Sequence, residues 1–330
     1  MQITRFQSDQ PTPAGYAALI EHFQLEVIPH WRISLVAPRG THRLDAVDGQ
    51  IRETFIARYW PGDALGDHLE FALKYDGVNL AILAALFRVA GVAPVAEYVQ
   101  SKPTGKYARR VWYLYEWITG ERLPLDDLTQ GNYVELLDSE SYFTSASPAR
   151  ARRQRISDNL LGDARFCPLV RRTERLQQAV DSQLEDRCQQ VVAGYSHELL
   201  KRALSYLYTK ETKSSFEIEH IQPSARRTER FISLLQLAEK EDFCQKDRLI
   251  ELQHRIVDPR FQADDYRTSQ NYVGEAVAWQ SERVHYACPR PEDVADLMAG
   301  LVAGHERMAE GGVHPVVHAA AVAYGFVYLH

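Results

Sequence analysis

The residues best suited to chemistry lie far apart in the chain and have different settings. His330 follows directly on the run VHPVVHAAAVAYGFVYL, Val313 to Leu329. An imidazole delivered by a helix to a following loop suits general-base work, because its ordinary pKa lies near neutrality. Ser215 and Glu219 are spaced to share one face of a helix, either as a working contact or as a surface pair or cap. Arg150, Arg152, Arg153 and Arg155 come after Pro148, and Arg171, Arg172 and Arg175 follow. They read as a patch for phosphate or nucleic acid, or as a solvated helix face paired with Asp158, Asp163 and Glu174. Cys167, Cys188, Cys244 and Cys288 have no paired spacing for zinc or a redox dithiol, so no metal site is expected from them.

The chain that must position these groups has 330 residues, which implies about two domains. Its 45% hydrophobic and 25% charged content is that of a soluble globular protein. A net charge of -6 argues against wholesale nucleic-acid binding. The N-terminus has no apolar signal core. The apolar runs Leu80 to Phe87 and Ala319 to Leu329 are too short to span a bilayer. A cytoplasmic protein with reduced thiols and no membrane partner is expected.

In the N-terminal part, Gln10 to Gly15 reads as a flexible lead-in and Tyr16 to Leu25 as a short helix. Ile33 to Val36 reads as a strand. Asp48-Gly49, between His42–Val47 and Ile51–Tyr59, is a hairpin signal, which predicts a small antiparallel sheet. Helical spacing follows in Leu65, Leu69 and Leu73, in Leu80, Leu83 and Phe87, and in Tyr107, Val111, Leu114, Tyr115 and Ile118. The aromatics of that last stretch read as core.

In the C-terminal part a helix is predicted over His197 to Tyr208, then Ser215-Phe216-Glu217-Ile218-Glu219. Helices near Thr228 and around Leu249, Leu252 and Ile256 follow. Beyond Tyr266-Arg267 and Gly274, the alternation of Val284, Tyr286 and Cys288 marks a return strand, with Pro289 and Pro291 as its turn. Glu292 and Asp293 open a helix whose buried face is Val294, Leu297, Met298, Leu301, Val302 and Met308, ended by Gly311-Gly312. The last run, apolar on every side of the helical wheel, predicts a helix buried all round.

This ordered series, over about Leu199 to His330, resembles the Fic (Fido) family. There a Ser/Thr-x-x-x-Glu-Gly/Asn helix is inhibitory, a hairpin flap follows a Tyr-Arg segment, and a buried helix leads into a His-Pro-Phe-x-Asp/Glu-Gly-Asn-Gly-Arg loop. The position after Glu219 holds His220 instead of Gly or Asn. The resemblance implies a mostly α fold: a helical core with a β-hairpin flap over 199–330, behind an α+β domain with a small antiparallel sheet over 1–198. It implies AMP transfer from ATP to a Ser, Thr or Tyr hydroxyl of a target protein, self-modification included, with Mg²⁺ on the triphosphate. His330 would be the catalytic base and Ser215 and Glu219 the inhibitory pair. Tyr272, Val273, Gly274, Val284 and Tyr286 would form the flap that holds the target by strand addition.

The family's loop residues for metal and phosphate come after the histidine. The chain is therefore expected to be a truncated form of an adenylyltransferase, with little or no transfer of its own. Two alternatives stand beside this. One is transfer of another phosphate-containing group. The other is a non-catalytic interaction protein whose N-terminal domain and flap recruit protein or, through Arg150–Arg155, nucleic acid.

Overall fold

The computed structural model describes residue 3 and residues 10–47, 50–218, 229, 232–233, 244–257, 259–278 and 281–329. The chain divides into two compact units, Met1–Ser139 with Ser147–Leu160, and Glu140–Ala146 with Leu161–His330. Residues 161–198 therefore fall in the C-terminal unit, a division by compactness that differs from the 198/199 boundary drawn by resemblance. Among the described residues no single helix is long and apolar enough to cross a membrane.

The N-terminal unit opens with β1 (Thr12–Ala14), α1 (Tyr16–Phe23), β2 (Arg32–Ala37), β3 (Arg43–Val47) and β4 (Gln50–Ile56). The expected flexible lead-in is thus strand β1, at the sheet edge, where Pro13 can sit without an N–H to donate. The predicted hairpin is present, with Val47 paired to Gln50 and Arg43 to Thr54. Its Asp48-Gly49 turn lies outside the described residues. The sheet order is β1-β2-β4-β3, and β2 runs parallel to β4. The sheet is therefore mixed, not wholly antiparallel as predicted, because β4 returns from its hairpin to lie between β3 and β2.

Helices α2 (Leu65–Phe71), α3 (Leu80–Ala90), α4 (Val92–Ser101) and α5 (Lys106–Thr119) follow, α2 running into a π-helical turn over Ala72–Asp76. Their apolar stripes meet: Leu69, Ile82, Leu83, Leu86, Val95, Leu114 and Trp112 are all buried. The π-turn carries Asp76 inward. Its carboxylate accepts the Tyr16 N–H at 3.1 Å and the Ser34 hydroxyl at 2.5 Å, so it caps α1 and ties that helix to β2. Strands β5 (Val134–Glu135), β6 (Ala149–Ala151) and β7 (Ile156–Asp158) complete this unit as a small sheet.

The C-terminal unit contains α6 (Glu174–Asp181), α7 (Leu184–Ala193), α8 (His197–Ile218), α9 (Lys246–Ile256), the hairpin β8 (Tyr272–Ala278) and β9 (Ser281–Ala287), α10 (Pro291–Glu310) and α11 (Pro315–Leu329). The helix expected near Thr228, with Phe231, Leu234, Leu235 and Ala238, falls largely outside the described residues. Proline opens α10 at a position where its missing N–H costs nothing. The mostly helical class with a small sheet near the N-terminus and a C-terminal hairpin is therefore as expected.

The last helix differs from expectation. Helix α11 packs along α10, but only Val317, Ala321, Gly325 and Leu329 are buried. Tyr324 is 70% exposed and Val327 74%. It is a one-sided helix with an apolar outer face, not a helix buried all round. Ala321 and Gly325 in the middle of the buried stripe are small, which lets the neighbours come close. A Cβ on Gly325 would lie 2.6 Å from Phe166 Cζ and 2.7 Å from a Leu301 methyl.

Candidate functional site

The site is built around the end of α11. Leu329 is buried with Val294, Met298 and Leu301, and Leu249 and Tyr266 pack against that cluster. A cavity of about 170 Å³ adjoins it, lined mainly by apolar side chains of α9, α10 and α11 together with Asp265 and Arg267. The last carbonyls of a helix have no donor within it. Here the Tyr286 hydroxyl donates to the Tyr328 carbonyl at 2.6 Å. Arg267 reaches the Leu329 carbonyl with Nη2 at 3.3 Å and Nε at 3.4 Å. Burial, then the neighbouring Tyr328, pushes the Tyr286 phenol above its ordinary pKa and keeps it a donor.

The hairpin itself is a two-stranded ribbon in which Val273 pairs with Tyr286 and Gly274 with Val284, with an irregularity between Val273 and Gly274. At that bulge the backbones approach closely, since a Cβ on Gly274 would lie 2.8 Å from the Arg283 carbonyl. Among the described residues each strand has an outer edge without a strand partner. Tyr272, Val273, Val277 and Val284 are all at least half exposed along the ribbon, and the Tyr272 hydroxyl is bound to Glu282. An exposed, apolar-decorated edge can take up an extended peptide by main-chain hydrogen bonds.

Residues 243–330 match the model of the Fic/DOC family. The matched part, the Fic segment, is similar to that family. No curated protein and no solved structure matches the chain. The Fic match begins after Ser215 and Glu219, which therefore precede it. Ser215 lies in α8, and Glu219 is outside the described residues. His330 is also outside them, one residue beyond Leu329. The five flap residues all lie in β8 and β9 of the Fic segment. The structure thus brings the foot of the hairpin and the last turn of α11 together.

The residue that sequence reasoning missed is Arg267. It was noted as half of a Tyr-Arg pair, but no role followed from it, because the groups it binds are main-chain carbonyls that leave no mark in the sequence. The arginines of 150–155 also differ from the expected helix face. They lie on the β6–β7 hairpin, not on a helix face. Arg153 is bonded to Glu116 at 3.0 Å and to Asp127 and the Leu123 carbonyl. Arg155 donates to the Leu128 and Thr129 carbonyls, and Arg150 lies over the Tyr133 ring. Arg152 is exposed. Most of this cationic stretch is engaged within its own unit.

A nucleotide triphosphate with a divalent cation needs a cluster of oxygen or nitrogen donors and a cradle of N–H groups. Among the described residues no group of three or more His, Cys, Asp or Glu side chains is arranged to hold a metal ion. The cavity beside Leu329 is largely apolar, and the Arg267 guanidinium is committed to carbonyls. The described residues do not fit that group.

Proposed function

We propose that the Fic segment belongs to a transferase that moves AMP from ATP to a hydroxyl of a protein target. The family match over 243–330, with the hairpin held against the end of α11, is the observation that carries this reading. The target chain would lie along an open edge of β8 or β9, where main-chain pairing positions a hydroxyl without demanding a particular sequence. His330 would take the hydroxyl proton as the oxygen attacks the α-phosphorus. The bond to pyrophosphate breaks, and pyrophosphate leaves with the displaced electron pair. ATP is the substrate here. Mg²⁺ would neutralise the charge of its phosphates, and none of the described residues is assigned to hold it. Glu219, four residues after Ser215 in the sequence, would act as an inhibitory anion.

The test is transfer of label from ATP carrying it on the α-phosphate, using the full-length protein. Label should remain on protein through denaturing electrophoresis, vanish with His330→Ala and rise with Glu219→Gly. Label that enters only from the γ-phosphate would move the reading to transfer of another phosphate-containing group. Labelling that survives His330→Ala would overturn the assigned base.

A further inference from the structure

One guanidinium holds three separate pieces of main chain. Besides the Leu329 carbonyl, Arg267 donates from Nη1 to the Ser269 carbonyl at 2.9 Å and from Nη2 to the Pro289 carbonyl at 2.5 Å. Ser269 precedes β8 and Pro289 follows β9, so Arg267 grips both feet of the hairpin and the end of α11 at once. Gln270 closes the same foot, donating to the Cys288 carbonyl at 2.7 Å, and the Cys288 N–H donates to the Asn271 carbonyl. Higher up, the Tyr286 ring lies 6.0 Å from the Tyr328 ring, and its hydroxyl makes the second link to the helix. An arginine fork is planar, rigid and always charged, so it fixes the relative position of the carbonyls it holds. In the sequence His330 follows Leu329 directly.

We infer that Arg267 and Tyr286 are positioning residues that couple the hairpin to the last turn of α11, so that a strand docked on the hairpin edge steadies the end of the helix that precedes His330. This rests on the transferase reading for its purpose, but not for the coupling. Coupling is reciprocal. A probe that fixes the end of α11 must therefore also quiet the hairpin.

The experiment compares the protein with Tyr286→Phe and Arg267→Lys, each of which keeps the bulk of the side chain and removes the contact geometry. Amide hydrogen exchange is followed in 272–287 and 325–329. Loss of one such hydrogen bond should speed exchange about 5- to 10-fold in both segments together. If exchange rises only in the hairpin, or only in the helix, the coupling is refuted. In label transfer, both variants should lower kcat while the KM for ATP stays the same. No transfer of label from ATP to protein would defeat the transferase reading and leave the exchange result standing. Loss of labelling with His330→Ala, beside exchange unchanged by either variant, would defeat the coupling alone.

Discussion

The two compact units satisfy main-chain groups in contrasting ways. In the N-terminal unit the work is done by buried charge. Arg109 is 5% exposed and donates to the carbonyls of Asn132, Gln154 and Arg155, and Arg110 donates to that of Glu135. Glu116 accepts from Trp112 Nε1, the Leu123 N–H, Arg153 and Gln154. In the Fic segment the corresponding groups, Arg267 and Tyr286, are half-buried, and beside them α11 leaves apolar residues open to solvent. A buried polar lattice loses stability when any member is removed, because the partners are left unpaired in a low dielectric. Half-exposed links can be rehydrated, so cutting them should cost coupling more than global stability.

That difference can be broken at its strong end first. Glu116→Ala should destabilise the protein by about 2–4 kcal/mol, since it leaves the Trp112 indole N–H and the Leu123 N–H without their acceptor and takes from Arg153 one of its two carboxylates. The midpoint of denaturant unfolding reads this directly, and a loss below about 1 kcal/mol would remove the contrast between the units. Gly274→Ala should come next. Its methyl must displace the Arg283 carbonyl, costing about 1–3 kcal/mol of local hairpin stability, visible as faster exchange confined to 272–287 with little change in the global midpoint. A global shift as large as that of Glu116→Ala would show that the hairpin is structural lattice too.

The legible parts of the sequence were those in which a side-chain pattern reports its own surroundings. The Val284-Tyr286-Cys288 alternation, the proline before Glu292 and the leucine stripes of α2, α3 and α5 each indicate an element directly. The parallel pairing of β2 with β4 was not legible, because it depends on where a hairpin is delivered and not on its composition. Helix α11 misled for a related reason. Alanine and valine all round suggest burial on every side, yet burial follows the stripe that Gly325 and Ala321 open to α10. The arginines after Pro148 fit either a phosphate patch or a helix face in the sequence, and the β6–β7 hairpin was not legible there, since arginine favours neither helix nor hairpin strongly enough to decide. At the site, the hairpin residues could be named from the sequence and Arg267's task could not.

The finest test of the contrast is one in which the expected change is close to nothing. Burial pushes the Asp76 carboxyl up to about 7 despite donors from Ser34 and Tyr16. Burial also pushes His68, whose two ring nitrogens have no hydrogen-bond partner, down to about 4. The native state holds a proton on Asp76 that the unfolded chain has lost above its ordinary value of 3.8. Stability from this group is full below that pH and is lost as pH rises through about 7. The native state refuses a proton on His68 that the unfolded chain accepts below its ordinary value of 6.5, so stability from this group is lost as pH falls through about 4. Between these limits the two slopes, each about 1.4 kcal/mol per pH unit, have opposite signs and offset one another. The unfolding midpoint of the N-terminal unit should therefore stay nearly level from about pH 4 to about pH 6.5. Asp76→Asn should unmask a rise in stability with pH over that range, and His68→Leu a fall. Profiles that stay level in both variants would mean that neither buried group changes its proton affinity on folding, and the N-terminal lattice would then be no drier than the hairpin foot.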